Sequence, residues 1–153
     1  MTAVTTQSGF TDDAAESHIT HPERKHEKYE RLIARAKSVP PIRTAVAWPC
    51  EVHALEGPVE AAREKIIKPV LVGSEALIRD VAGKANLDLA GCDIVDFPTE
   101  ESAAAGAVSL VQEGKAHAIM KGSLHTDILM HAVVSKEGGL RTSRRISHVF
   151  LID

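Results

Sequence analysis

Aromatic residues are scarce in this sequence: one Trp, one Tyr and three Phe among 153 residues, 3% in all. Whatever core the chain builds is therefore aliphatic. Cysteine is scarcer still. Cys50 and Cys92 stand far apart with no metal-type spacing, which argues against a disulfide framework and makes a reducing cytoplasm the expected compartment. Charge of one sign is not in excess: 18 Lys and Arg against 21 Asp and Glu leave a net −3. That balance points to no nucleic-acid and no membrane partner. No apolar run approaches the ~20 residues of a transmembrane helix. Met1 to Thr20 is polar and carries acids, unlike a secretory signal. What is there is 44% hydrophobic and 25% charged, the mix of a globular domain with room for one real core.

The organisation follows from where the pattern changes. Residues 1–21, rich in Thr, Ser and Asp, read as a disordered leader, and 22–153 as the folded part. Pro22 to Ser38 reads as a charged helix with Tyr29, Leu32, Ile33 and Ala36 on one face, stopped by Val39-Pro40-Pro41. Short apolar runs at Thr44–Trp48, Pro69–Val72, Cys92–Phe97, Ala116–Met120 and Ile146–Ile152 read as buried strands. Helical stretches lie between them at Leu55–Ile66, Ser74–Asn86, Glu100–Glu113 and Thr126–Ser135. Ser74 and Thr99 stand at N-cap positions with acids in the turns that follow, and Gly114 stands where a C-cap belongs. Alternation with short connections predicts an α/β fold of βαβ units around a mostly parallel sheet. The final apolar run ends with nothing to cover it, so a larger fold is expected to continue beyond Asp153.

In such sheets ligands bind at the carboxyl ends of strands. The most informative such place is Met120-Lys121-Gly122-Ser123-Leu124-His125-Thr126-Asp127, which follows a strand and opens a helix. Gly122 permits close backbone approach, Ser123 and Thr126 offer hydroxyls, Lys121 offers charge, and the helix start offers amides, the parts of a phosphate cradle. It lacks the spacing of a nucleotide P-loop, and an ordinary capped turn would look similar. The second cluster, Gly138-Gly139-Leu140-Arg141-Thr142-Ser143-Arg144-Arg145-Ile146-Ser147-His148, places three arginines beside glycines. Guanidinium binds phosphate through paired hydrogen bonds, although arginine runs commonly pair with surface carboxylates instead.

These two segments together closely resemble the phosphate acetyltransferase/phosphate butyryltransferase family, and most of all the acyltransferase part of bifunctional enoyl-CoA hydratase/phosphate acetyltransferase proteins. Thr44–Cys50, Leu55-Glu56-Gly57 with Ala61-Ala62, and Pro69–Gly73 agree with its opening strands and helix, so the resemblance runs from about Tyr29 to Asp153. It implies a two-lobed fold like that of isocitrate and isopropylmalate dehydrogenases, of which 22–153 is an incomplete, N-terminal part of the acyltransferase domain. It also implies acyl transfer between phosphate and coenzyme A, with acyl phosphate, phosphate and coenzyme A as ligands. The uncovered apolar strand expected at Phe150-Leu151-Ile152 separately predicts a homo-oligomer, most simply a dimer. No metal and no redox cofactor is called for, coenzyme A being a substrate. The binding set it marks is Lys121, Gly122, Ser123, Thr126, Arg141, Arg144, Ser147 and His148. The catalytic base for the thiol is expected beyond Asp153.

Two rivals share the fold: an inactive fragment or interaction module, and a metal-dependent 2-hydroxyacid dehydrogenase. The latter wants clustered carboxylates, and Asp127 is the only one in the motif loop. His18, His21 and His26 read as parts of a solvated tail, and Cys50 as a packed or idle thiol. His125 and His148 read as hydrogen-bonding groups in preference to general bases. Glu51 and Glu56 form no carboxylate pair with catalytic spacing.

Overall fold

The computed structural model describes residues 27–150, so the leader and His18, His21 and His26 lie outside the described residues. The elements run α1 (Glu27–Lys37), β1 (Ile42–Ala47), α2 (Val52–Arg63), β2 (Ile67–Gly73), α3 (Glu75–Lys84), β3 (Asp93–Asp96), α4 (Glu100–Gln112), β4 (Ala118–Lys121) and α5 (Thr126–Val134). The four strands form one sheet in the order β3-β2-β1-β4, and every pairing is parallel.

Period-two alternation explains how β1 is buried on both sides. Ala45 and Ala47, with Val70 and Val72 on β2, face α4 and α5 through Ala103, Ala104, Ala107 and Leu129. Val46 and Leu71, one residue out of phase, face α2 and α3 through Leu55, Val59, Ile78 and Ala82. The sheet is thus a middle layer between two helix layers. Alanines on α4 bring that helix close to the strands, which is how so few aromatics suffice.

Local chemistry sets the helix ends. Thr99 and Ser102 form a reciprocal capping box at the start of α4. Ser74 accepts from Leu77 N at α3, whose first amide, Glu75 N, also donates to Asp96 Oδ1 at 2.8 Å. Three helices close alike. Lys65, Asn86 and Gly114 take positive φ (59°, 53° and 68°). Their amides and the next ones bond back into the last turn, as in Ile66 N to Ala61 O and Lys65 N to Ala62 O at 2.9 Å each. This is the Schellman arrangement. It ends α2 at Arg63, three residues before the apolar pattern does.

The first helix forms over the described part of its expected stretch, Glu27–Lys37, with Tyr29 and Leu32 exposed and Ile33 and Ala36 partly covered, while residues 22–26 lie outside the described residues. One expectation changes. The strand expected over Ile146–Ile152 does not form across the described residues 146–150, which carry no regular structure; 151 and 152 lie outside them. Ile146, Val149 and Phe150 are exposed. An apolar run becomes a strand only with an edge to pair with, and none of the four strands receives it.

Candidate functional site

β1 is the hinge of the topology. After it the chain steps outward to β2 and β3, then returns through α4 to place β4 on its other flank. The loop after β1 leads to α2 on one face, and the loop after β4 leads to α5 on the other. Such a divergence marks the place where parallel sheets generally hold ligands. Lys121–His125 therefore sits at the switch point.

The two loops are sewn together. Gly122 N donates to Ala47 O at 2.8 Å, Ser123 N to Trp48 O at 2.9 Å, and Ser123 Oγ to the same carbonyl at 2.8 Å. Trp48 N donates to Val72 O at 2.7 Å, tying in β2. A β-carbon on Gly122 would collide with the carbonyls of Ala47 and Trp48. The close approach foreseen at Gly122 is thus made to β1, and the amides of Gly122 and Ser123 are occupied. Trp48 itself has φ 54°, a left-handed conformation for a bulky residue.

Past this junction, α5 begins with His125 as N-cap, which contributes no side-chain cap bond. The first amides of the helix, at Thr126, Asp127 and Ile128, have no partner within it. Thr126 is exposed, and Asp127 already places a negative charge in the first turn. Lys121 Nζ lies 3.1 Å from Gly122 O, with the side chain in solvent. Donors for an anion at this helix start are therefore the 126–128 amides, the Thr126 hydroxyl and Lys121.

The arginine segment leaves from the other end of α5. Leu140 N bonds to Val133 O at 2.8 Å, and Gln112 Nε2 to Gly139 O at 2.9 Å, fastening the chain beside the end of α4. Arg141, Arg144 and Arg145 then line a hollow of about 610 Å³ with Val134 and Leu140. None of the Lys121–Thr126 residues lines that hollow. Ser147 and His148 are exposed, the His148 ring resting 4.1 Å from that of Phe150. Among the described residues no hydrogen bond or ion pair joins the two clusters named from sequence.

Cys50 packs against the α2 and α3 side of the sheet beside Gly73, and burial, only partly offset by the backbone of Ser74, pushes its thiol up from 9.0 to about 11. Cys92 is raised as well, again mainly by burial. Neither is a poised nucleophile. Glu56 pairs with His53 at 3.4 Å, and Glu51 is the N-cap residue of α2. Sequence reasoning passed over Trp48, which is the centre of the junction. Its one signal was the following proline, which restricts the backbone before it.

A parallel α/β domain with a lysine- and glycine-bearing strand-to-helix loop at its switch point is the class that fold and loop define. No family model matches the chain. Among curated proteins it is 53% identical over 126 residues to a phosphate acetyltransferase of Rhizobium meliloti, covering 82% of this chain and 40% of that protein. It is 48% identical over 121 residues to a phosphate acetyltransferase of Rickettsia felis, covering 79% and 35%. It is 38% identical over 125 residues to a phosphate butyryltransferase of Clostridium beijerinckii, covering 82% and 41%. The chain is a homologue of the phosphate acetyltransferases and phosphate butyryltransferases. It spans 35 to 41% of the length of these three relatives.

Proposed function

We propose that this chain is the phosphate-side portion of an acyltransferase that moves a short acyl group between phosphate and coenzyme A. The observation that supports it most is the Lys121–Thr126 loop, placed at the switch point in a chain that is 53% identical to a phosphate acetyltransferase. The reaction needs a thiolate, an acyl carbonyl held in line, and neutralisation of the departing phosphate. The amides of 126–128 and the Thr126 hydroxyl hold phosphate oxygens, and Lys121 contributes charge. Arg141 and Arg144, with Ser147 and His148 beside them, belong to a second element that closes on the phosphate when the rest of the enzyme is present. The thiol base comes from outside residues 27–150, in a second lobe of an isocitrate-dehydrogenase-like architecture. The chemistry is carried by protein groups and by coenzyme A as substrate. None of the three relatives bears a dehydrogenase name, so that rival has no support. The working form is a cytoplasmic homodimer.

The test is a titration of the chain with phosphate, acetyl phosphate and sulfate, read by amide chemical shifts. Thr126, Asp127 and Ile128 should move, acetyl phosphate and phosphate competing for one site. If these amides stay still while others move, the site is elsewhere. Exchange of acyl groups between phosphate and coenzyme A by the chain alone should stay at background, and turnover would refute the need for a second lobe. Sedimentation checks the dimer.

A further inference from the structure

We infer that Ser123 is a positioning residue that locks the β1 loop across the switch point, and that it makes no contact with phosphate. This rests on the proposed function only in taking the start of α5 as the anion site. A serine in a glycine-containing loop before a helix is the natural phosphate ligand, but its one hydroxyl proton is engaged. Ser123 Oγ donates to Trp48 O at 2.8 Å, and Ser123 N donates to the same oxygen at 2.9 Å. A phosphate dianion accepts and cannot donate, so a serine whose proton is given elsewhere has nothing to offer it.

The geometry explains why that carbonyl is clasped. Trp48 stands at φ 54°, a region that bulky residues occupy only when their surroundings impose it. The next residue, Pro49, is fully buried and has no N–H. The carbonyl is thus the only polar group of the peptide between them, and both its lone pairs go to Ser123. On the other side Trp48 N is held by Val72 O, and the indole lies against Gly73, whose β-carbon position is 3.2 Å from a ring carbon. Releasing the Ser123 hydroxyl leaves the left-handed turn with one restraint fewer, and the indole with it. Because Gly122 and Ser123 lead through the buried Leu124 into His125, the same bonds help fix where the first amides of α5 point.

Trp48 is the sole tryptophan, so its fluorescence reports on the junction alone. In phosphate-free buffer, Ser123→Ala should red-shift the emission and raise acrylamide quenching at least twofold, with far-UV circular dichroism unchanged. Ser123→Thr, which keeps the hydroxyl, should restore the wild-type signal. Inorganic phosphate should still shift the Thr126–Ile128 amides of Ser123→Ala, with affinity within about threefold of wild type. A direct ligand would cost roughly tenfold or more. Unchanged Trp48 fluorescence in a folded Ser123→Ala protein overturns the lock. So does a tenfold loss of phosphate affinity that Ser123→Thr fails to restore. If wild type binds no phosphate, the function proposal falls while the fluorescence still decides the lock. Should Ser123→Ala fail to fold, Ser123→Cys, a weaker donor, replaces it, and a wild-type spectrum for that variant overturns the lock.

Discussion

Phe97, at the exit of β3, packs its ring over Gly106 in the middle of α4. A β-carbon built on that glycine would lie 2.5 Å from two ring carbons. Glycine in a helix interior is usually a liability of about 1 kcal/mol relative to alanine. Here overpacking costs about 1–3 kcal/mol, which reverses the usual gain. Gly106→Ala should therefore lower stability by up to ~2 kcal/mol in urea unfolding, and Gly106→Val by more. A stabilised Gly106→Ala would show that the ring swings away freely.

Lys65 predicts the opposite sign. It occupies the left-handed closing position of α2, with φ 59° and an exposed side chain, where glycine would avoid a steric cost of about 1–2 kcal/mol. Lys65→Gly should raise the melting temperature despite glycine's greater freedom when unfolded. Gly114→Ala, at the matching position after α4, should lower it by a comparable amount. If both substitutions shift stability the same way, the closing geometry is not what limits these helix ends.

The Cys50 thiol should be sluggish. Its pKa is raised to about 11 from an ordinary 9.0, so at pH 8 the reactive thiolate is roughly a hundredfold scarcer than in a free cysteine. Alkylation by iodoacetamide should accelerate as pH climbs toward 11, with no plateau near 9. The linkage has a definite sign. The unfolded thiol loses its proton near 9.0 while the folded one retains it. The stabilisation is complete below 9.0 and disappears as pH rises through about 11. A plateau near 9 in the Cys92→Ser background would contradict the burial at Cys50.

Lys121 and Arg144 should separate in a phosphate titration. Lys121→Gln removes a full charge beside the start of α5 and should weaken binding severalfold at low salt. Arg144→Lys should leave the binding constant within about twofold, because the arginine segment lines a hollow to which none of Lys121–Thr126 contributes. A loss of tenfold for Arg144→Lys would mean that paired guanidinium bonds already reach the same phosphate in this chain.

How far the sequence could be read depended on the range of the forces involved. Ser74, Thr99 and Gly114 marked helix ends correctly because caps act within one turn, and the strands through Met120 were legible because β-branched runs between caps have few other fates. The order β3-β2-β1-β4 was not legible, since periodicity says nothing about which strand returns to which flank. Ile146–Ile152 failed for a related reason: an apolar run records the wish to be covered but not whether an edge is available. At the site, Lys121–Thr126 was found because glycine, lysine and hydroxyls cluster in the chain. The occupation of the Gly122 and Ser123 amides was hidden, because their acceptors lie some 75 residues earlier.

That separation also sets an order of events during synthesis. β1 leaves the ribosome flanked at once by β2, a neighbour within easy reach. Its other flank waits until β4 has emerged, after all of α4. Any sheet that β1, β2 and β3 form before then would leave β1 unpaired along one edge, open to pairing with a copy of the chain. Closing it requires long-range contacts, which form slowly. Substitutions that loosen the Ser123–Trp48 junction should therefore reduce soluble yield more than they reduce the stability of the protein once it has folded.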